Sequence, residues 1–258
     1  MSVLGRWKPE QYLKYEDDRI RPAEDLMRRI PPIRCHYIFD LGCGTGNITK
    51  RLRENWPGSV VAGIDSSAQM LAHAMHADTE ILWVESDIRR WRTPLPADLI
   101  FSNAVLQWIP EHESFLISLI DQLREGGVLA VQMPRHYASP ANLLLRETLE
   151  QSPWKSKLSG LMPGASVDSP EGYWKILSPH CRHVDIWETE YLQVLRGPNP
   201  VLEWMLGSAL VPFLAHLCEN EEANFLADYG NRLVEAYSPR EDGRTLFPFR
   251  RIFLVAQR

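Results

Sequence analysis

The sequence predicts an α/β fold built on a mostly parallel sheet, and three observations carry that prediction. From Tyr37 to Pro134 short apolar runs alternate with amphipathic segments, the pattern of parallel strands joined by crossover helices. The first run, "YIF", leads directly into a glycine-rich turn, "DLGCGTGNIT" (Asp40 to Thr49), and then into a helical stretch. The next two apolar runs each end in an aspartate, Asp65 and Asp87, at the strand ends where open α/β sheets receive their ligands.

In order, "YIFDLG" reads as the first strand and "NITKRLRENWP" as its helix, closed by Pro57. "SVVAGID" is the second strand, followed by a helix through "SAQMLAHAMHA". "EILWVESD" is the third and "ADLIFSNAV" the fourth, whose helix, "HESFLISLIDQLREGG", is expected to end on its glycines. "VLAVQMP" makes the fifth strand. After Pro134 the rhythm breaks into a helix and a loop rich in Ser, Pro and Gly. "SPEGYWKILSPH" then predicts a short helix capped by Ser169 with Pro170 at its first position, and "HVDIWETEYLQVL" a sixth strand. "NPVLEWMLGSALVPFLAHL" opens a helical insertion, with Asn199 as cap and a bend expected at Pro212. In "NEEANFLADYGNRLVEAY" Leu226, Leu233 and Tyr237 are expected on one stripe, with three glutamates at the positive helix end. "FPFRRIFLVAQR" closes the chain as a seventh strand.

At 258 residues the chain fits one large domain, or one domain with an elaborate insertion. A net charge of −5, with basic residues spread along the whole length, argues against nucleic acid as a partner. The start lacks the apolar core of a secretion signal, and no run is long enough to span a membrane, so a cytoplasmic protein is expected. Cys35, Cys43, Cys181 and Cys218 show no metal-ligand spacing and read as reduced thiols. His73 and His76, three apart on a helix, lack an acidic or thiol companion, and no metal is expected.

The glycine spacing decides what the loop can hold. Gly42, Gly44 and Gly46 give G-x-G-x-G, not the G-x-G-x-x-G that cradles a dinucleotide pyrophosphate, and no Lys-Ser/Thr pair follows to build a triphosphate loop. A carboxylate at Asp65 can accept hydrogen bonds from both hydroxyls of a ribose lacking a 2′-phosphate. Asp87 is placed to meet an adenine amino group, with Ile88 packing on the ring.

The stretches "DLGCGTG", "GIDSS", "SDI" and "DLIFSNAVLQWI" resemble the Rossmann-like S-adenosylmethionine-dependent methyltransferases over about Asp40 to Pro134. The resemblance implies a seven-stranded sheet with an antiparallel last strand. It also implies a cofactor site of Asp40, Gly42, Gly44, Gly46, Asp65, Ser66, Met70, Asp87, Ile88 and Asn103. "WKPEQYLKYEDDRIRPAEDLM", "SNAVLQWIPEH", "GVLAVQMP" and "VDIWETEY" extend the resemblance over almost the whole chain, to the branch that makes a monomethyl ester of trans-aconitate. The organisation expected is a helical flap at 1–34, with Trp7, Tyr12 and Tyr15 over the cofactor, a core at 35–196 and 247–258, and a helical lid at 197–246.

A carboxylate is already an anionic nucleophile, so no catalytic base is expected, and alignment and exclusion of water should carry the rate. What the chemistry needs is an anion clamp, and forked guanidinium groups suit one. Adjacent strand residues point to opposite faces, so at most one of Arg250 and Arg251 can face a pocket squarely, and the family resemblance favours Arg251 as that one. Arg196 and Arg135 are further candidates, with Gln107, Trp108 and Trp204 as pocket-lining residues. Still open are another carboxyl or phenolic acceptor, such as a malonyl thioester, and a non-catalytic module that binds S-adenosylmethionine.

Overall fold

The protein is described by a computed structural model covering residues 16–151, 153–158, 161, 167–207 and 209–258. Trp7, Tyr12 and Tyr15, the expected cofactor flap, lie outside the described residues.

Seven strands form one sheet in the order β3-β2-β1-β4-β5-β7-β6. They are β1 (Tyr37–Leu41), β2 (Val60–Asp65), β3 (Leu82–Glu85), β4 (Ala97–Asn103), β5 (Leu123–Pro134), β6 (His183–Arg196) and β7 (Arg244–Gln257). β1 pairs in parallel with β2 and β4, β2 with β3, and β4 with β5. β7 runs antiparallel to β5, from Val128↔Gln257 to Pro134↔Arg251, as expected. Strand order reverses about β1, and that reversal opens a crevice at the carboxyl ends of β1 and β4. Helix α1 (Glu16–Arg29) precedes the sheet, and crossovers are made by α2 (Asn47–Asn55) between β1 and β2, α3 (Ala68–Ala77) between β2 and β3, and α4 (His112–Ile120) between β4 and β5.

The chain divides into two compact units. The first comprises Ile20–Arg135, Ser166–Thr189 and Arg251–Arg258, and holds β1 to β5 with the inner parts of β6 and β7. Its core is the apolar interior of the central strands, where Leu99, Ile100, Phe101, Val128, Leu129 and Leu254 are fully buried. Helix α7 (Pro170–Leu177) is capped as expected, the Ser169 hydroxyl accepting from Gly172 N.

The second unit includes His136–Ala165 and Glu190–Arg250. It is larger than the 197–246 insertion, because α5 (Pro140–Gln151) and α6 (Lys155–Leu158) join the helices α8 (Pro200–Leu206), α9 (Val211–Leu214) and α10 (Glu219–Ala236). The joint is specific: Tyr229 donates its hydroxyl to Ala141 O at 3.0 Å, and Ala141 N donates to the Tyr237 hydroxyl at 3.1 Å. Asn199 caps α8 by accepting from Leu202 N, and its Nδ2 donates to Gly230 O at 2.8 Å, tying α8 to α10.

Three local expectations are corrected. Helix α4 stops at Ile120, not at the glycines. Leu123 pairs with Ala97 instead, and Gly126, at φ 75°, turns the chain where the β4–β5 register shifts. The long helix expected from Asn199 is two short ones, with Pro212 inside the first turn of α9 rather than at a bend. On α10 the buried stripe is Phe225, Tyr229 and Leu233, at i, i+4 and i+8, while Leu226 and Tyr237 are only partly buried. Phe225 and Leu233, fully buried, each contribute about 1.5–3 kcal/mol by leaving water.

Candidate active site

The loop between β1 and α2 is left-handed at all three glycines, with φ of 73° at Gly42, 56° at Gly44 and 81° at Gly46. Their reasons differ. A Cβ on Gly42 would lie 2.3 Å from Val105 Cγ2, and one on Gly46 2.4 Å from Trp83 Cη2, so these two make room for protein. At Gly44 a Cβ would meet nothing within 4 Å among the described residues. Gly44 therefore presents backbone that no described residue crowds, as a close-approaching ligand requires.

Asp65, at the end of β2, holds this loop. Its Oδ2 accepts from Gly44 N and its Oδ1 from Ser67 N, both at 2.9 Å. An ionised carboxylate offers about four acceptor positions, so Asp65 keeps capacity for two more donors. Ser67, not Ser66, caps α3, accepting from Met70 N. Ser66 is exposed and Met70 half-buried at the start of the same helix.

Asp40 lies beneath the loop, 2% exposed, with Thr49 Oγ1 donating to its Oδ2 at 2.7 Å. Burial pushes its carboxyl up to about 7, the Thr49 hydrogen bond opposing and the neighbouring Asp65 charge adding to the rise. Asp87 is the opposite case. The Arg89 guanidinium forks its carboxylate and the Arg89 backbone N–H bonds it too, holding it down at about 2. The buried Ile88 lies between these two residues.

At the end of β4, Asn103 Oδ1 is buried and has no hydrogen-bond partner among the described residues. The next residue, Ala104, stands at φ 58°, a conformation unfavourable for any residue with a Cβ. It is held there by Ala104 N donating to Gln132 O at 2.9 Å and Gln107 Nε2 donating to Ala104 O at 2.7 Å. Gln107 is buried, and Trp108, in the same 3-10 turn, is 51% exposed.

Across β5, Gln132 is fully buried and Arg251 is 4% exposed. Arg251 Nη1 donates to Gln132 Oε1 at 3.0 Å. Its neighbour Arg250 points the other way and makes a half-exposed ion pair with Glu190 at 3.5 Å.

Residues 38–127 match the family described as a methyltransferase domain. Over the whole length, the chain is 45% identical to trans-aconitate 2-methyltransferase of Azoarcus sp. (strain BH72), covering 99% of this chain and 100% of that one. The identity is 41% to the same-named protein of Agrobacterium fabrum, covering 97% and 98%. The chain belongs to the trans-aconitate 2-methyltransferase family. Among solved structures, the YcgJ protein of Bacillus subtilis superimposes with a TM-score of 0.58 at 9% identity, covering 92% of this chain and 98% of that one. A Haemonchus contortus phosphoethanolamine N-methyltransferase, solved with S-adenosylhomocysteine, does so at 0.55 and 16%, covering 92% and 52%. At these identities the likeness is one of fold.

The remaining residues that the sequence marks for the family's substrate have other surroundings. Arg135 Nε donates to Asp168 O at 2.9 Å and its Nη1 pairs with Glu188 at 2.8 Å, so its fork is spent on the protein itself. Arg196 is exposed near the end of β6. Trp204 is 2% exposed, in edge-on and tilted contact with Phe247 and Phe249 in the core of the second unit, where packing accounts for its burial. Sequence reasoning did not single out Gln132. The available signal was one uncharged polar residue inside an otherwise apolar strand, "VLAVQMP".

Proposed function

We propose that the protein is a cytoplasmic S-adenosylmethionine-dependent O-methyltransferase that forms a monomethyl ester of trans-aconitate or a similarly small polycarboxylate, releasing S-adenosylhomocysteine. The observation that carries the acceptor class is the buried Arg251 guanidinium at the crevice edge of the sheet, in a chain whose full-length relatives bear that name. Burying a guanidinium is costly, and a carboxylate ligand offsets the cost through paired, charge-assisted hydrogen bonds.

The residues present fit S-adenosylmethionine on structural grounds. Gly44 has no described residue against its backbone, Asp65 is anchored with acceptor capacity to spare, and Asn103 supplies a buried oxygen lacking a partner among the described residues. In this reading Gly42, Gly44 and Gly46 shape the cradle, Asp65 takes the ribose hydroxyls, and Asp87 and Ile88 flank the adenine with Met70 and Ser66 nearby. Asn103 Oδ1 faces the sulfonium side, and Tyr12 completes the cofactor set. When bound, S-adenosylmethionine supplies an activated methyl group. Arg251 holds and orients the acceptor, with Gln107 in the adjoining turn, and no side chain has to take a proton because the acceptor is ionised at neutral pH.

Among the described residues no helix is long and apolar enough to cross a membrane. The four cysteines stand as free thiols, in keeping with a reducing compartment. The test is incubation with methyl-labelled S-adenosylmethionine and a panel of small polycarboxylates. A base-labile labelled ester from trans-aconitate is expected, and its absence across the panel would overturn the reading.

A further inference from the structure

We propose that Gln132 is a substrate-binding residue whose side-chain amide donates a hydrogen bond to the carboxylate held at Arg251. The inference rests on the proposed polycarboxylate chemistry and adds to it a contact set by the register of the sheet. Gln132 is paired with Asn103 on β4 and with Phe253 on β7. Directly paired residues share a face, and Arg251, two positions before Phe253, lies on that face as well. Asn103, Gln132 and Arg251 therefore form a row across three adjacent strands at the crevice end of the sheet.

The orientation of the central amide follows from its neighbour. A guanidinium has donors and no acceptor, so it is the Gln132 oxygen that must meet Arg251 Nη1, as it does at 3.0 Å. Nε2, with two N–H groups, is thereby turned away. It is buried and has no hydrogen-bond partner among the described residues. Buried polar atoms are nearly always satisfied, and an unmet donor beside a buried cation calls for an acceptor that is itself an anion. A substrate carboxylate fits: one oxygen meets the guanidinium and the other the amide. Along the row, an acceptor on β4 that has no partner among the described residues gives way to a neutral donor on β5 and then a cation on β7. That order grades from the proposed cofactor end toward the anionic substrate.

The structural rival is that Gln132 Nε2 simply turns to Asn103 Oδ1, which also has no partner among the described residues, on the neighbouring strand. Two variants separate the ideas. Gln132→Leu keeps the volume and removes the donor. Gln132→Glu places a carboxylate against Arg251, which a purely structural role would accept and an anion site would not. The measurement is calorimetric titration of trans-aconitate and citrate into the S-adenosylhomocysteine-loaded protein, with thermal melts of each variant.

Gln132→Leu should weaken trans-aconitate binding by about tenfold to a hundredfold, the range for a hydrogen bond to a charged group, while leaving S-adenosylhomocysteine affinity within about twofold. Gln132→Glu should lose more, with a melting temperature at or above wild type. Polycarboxylate affinity unchanged in either variant would overturn the assignment, as would a wild type that binds no polycarboxylate. Turnover of trans-aconitate by the wild type is scored separately. If the wild type binds polycarboxylates through Gln132 yet methylates none of them, the proposed reaction fails while the contact stands.

Discussion

Replacing Asp40 by asparagine should make the stability of the protein markedly less sensitive to pH. Asp40 is buried, and its carboxyl is raised from an ordinary 3.8 to about 7, chiefly by that burial. The native state therefore binds this proton more tightly than the unfolded chain. A group raised in this way contributes stability that is fully present below pH 3.8 and is lost as pH climbs toward 7. Three-odd pH units at about 1.4 kcal/mol each amount to about 4 kcal/mol, of which about 3 falls between pH 4.5 and 8. Asparagine cannot ionise, so Asp40→Asn lacks this loss. The amide can still accept from Thr49, and any strain from its second group is a constant offset, so the slope with pH is the signal. At about 2–4 °C per kcal/mol for a chain of this size, the melting temperature of Asp40→Asn should gain about 6–12 °C on wild type between pH 4.5 and 8. Thermal melts of both proteins at half-unit pH steps measure it. A difference that does not change with pH would refute the reasoning, since it would mean Asp40 is ionised in the native protein throughout.

Asp65→Ala removes the anchor of the glycine loop and the proposed ribose acceptor together, and should weaken S-adenosylmethionine by more than about a hundredfold, two charge-assisted bonds at about 1.5–3 kcal/mol each being lost; unchanged calorimetric affinity would take Asp65 out of the site. Gly44→Ala should melt modestly lower than wild type, from the strain of a Cβ at φ 56°, and bind the cofactor less tightly, whereas Gly46→Ala, equally left-handed and with its Cβ also against Trp83, should melt lower still; circular-dichroism melts and cofactor titrations compare them. With both substrates saturating, kcat should be flat from about pH 6 to 9, Asp40 showing itself in cofactor affinity rather than in turnover; a steep rise through pH 7 to 9 would mean a hydroxyl acceptor and a base. Arg251→Ala should cost about 2–5 kcal/mol in kcat/KM for trans-aconitate, and Arg250→Ala much less, since Arg250 turns outward to Glu190; steady-state kinetics showing Arg250→Ala as the crippled variant would reverse the assignment.

What the sequence reveals here depends on how local the controlling interactions are. The parallel sheet is legible because each strand, turn and helix announces its own period, and the antiparallel last strand follows once the family is recognised. Asp65 and the glycine loop are legible for a related reason: they are successive strand ends, and the structure joins them through the Gly44 N to Asp65 hydrogen bond at 2.9 Å. The end of α4 is not legible in the sequence because "LREGG" has the composition of a helix terminus, while the deciding interaction, Leu123 pairing with Ala97, is made with another strand. The helix break before Pro212 and the burial of Trp204 are likewise settled by packing within the second unit, where Phe247 and Phe249 arrive from the far end of the chain.

Gln132 shows the same limit most sharply. In a strand buried on both faces, alternation is lost, and nothing within "VLAVQMP" says which way the glutamine points. Only the pairing of Asn103 with Gln132, and of Pro134 with Arg251, brings an acceptor, a donor and a cation into one row. The two pairings are independent, one parallel and one antiparallel, so a slip of one residue in either would turn a member of the row to the opposite face. The shift in β4–β5 register near Ala97 and Leu99 lies at the far end of that pair, and from Leu99↔Val128 to Asn103↔Gln132 the ladder runs without interruption. Irregularity is thus confined to the end remote from the crevice, and the regular stretch fixes the row. If the row is the anion site, substrate choice is encoded in strand register as much as in the identity of any one side chain. An insertion within β5 between Val128 and Gln132 should then abolish polycarboxylate binding even with Gln132 and Arg251 both retained.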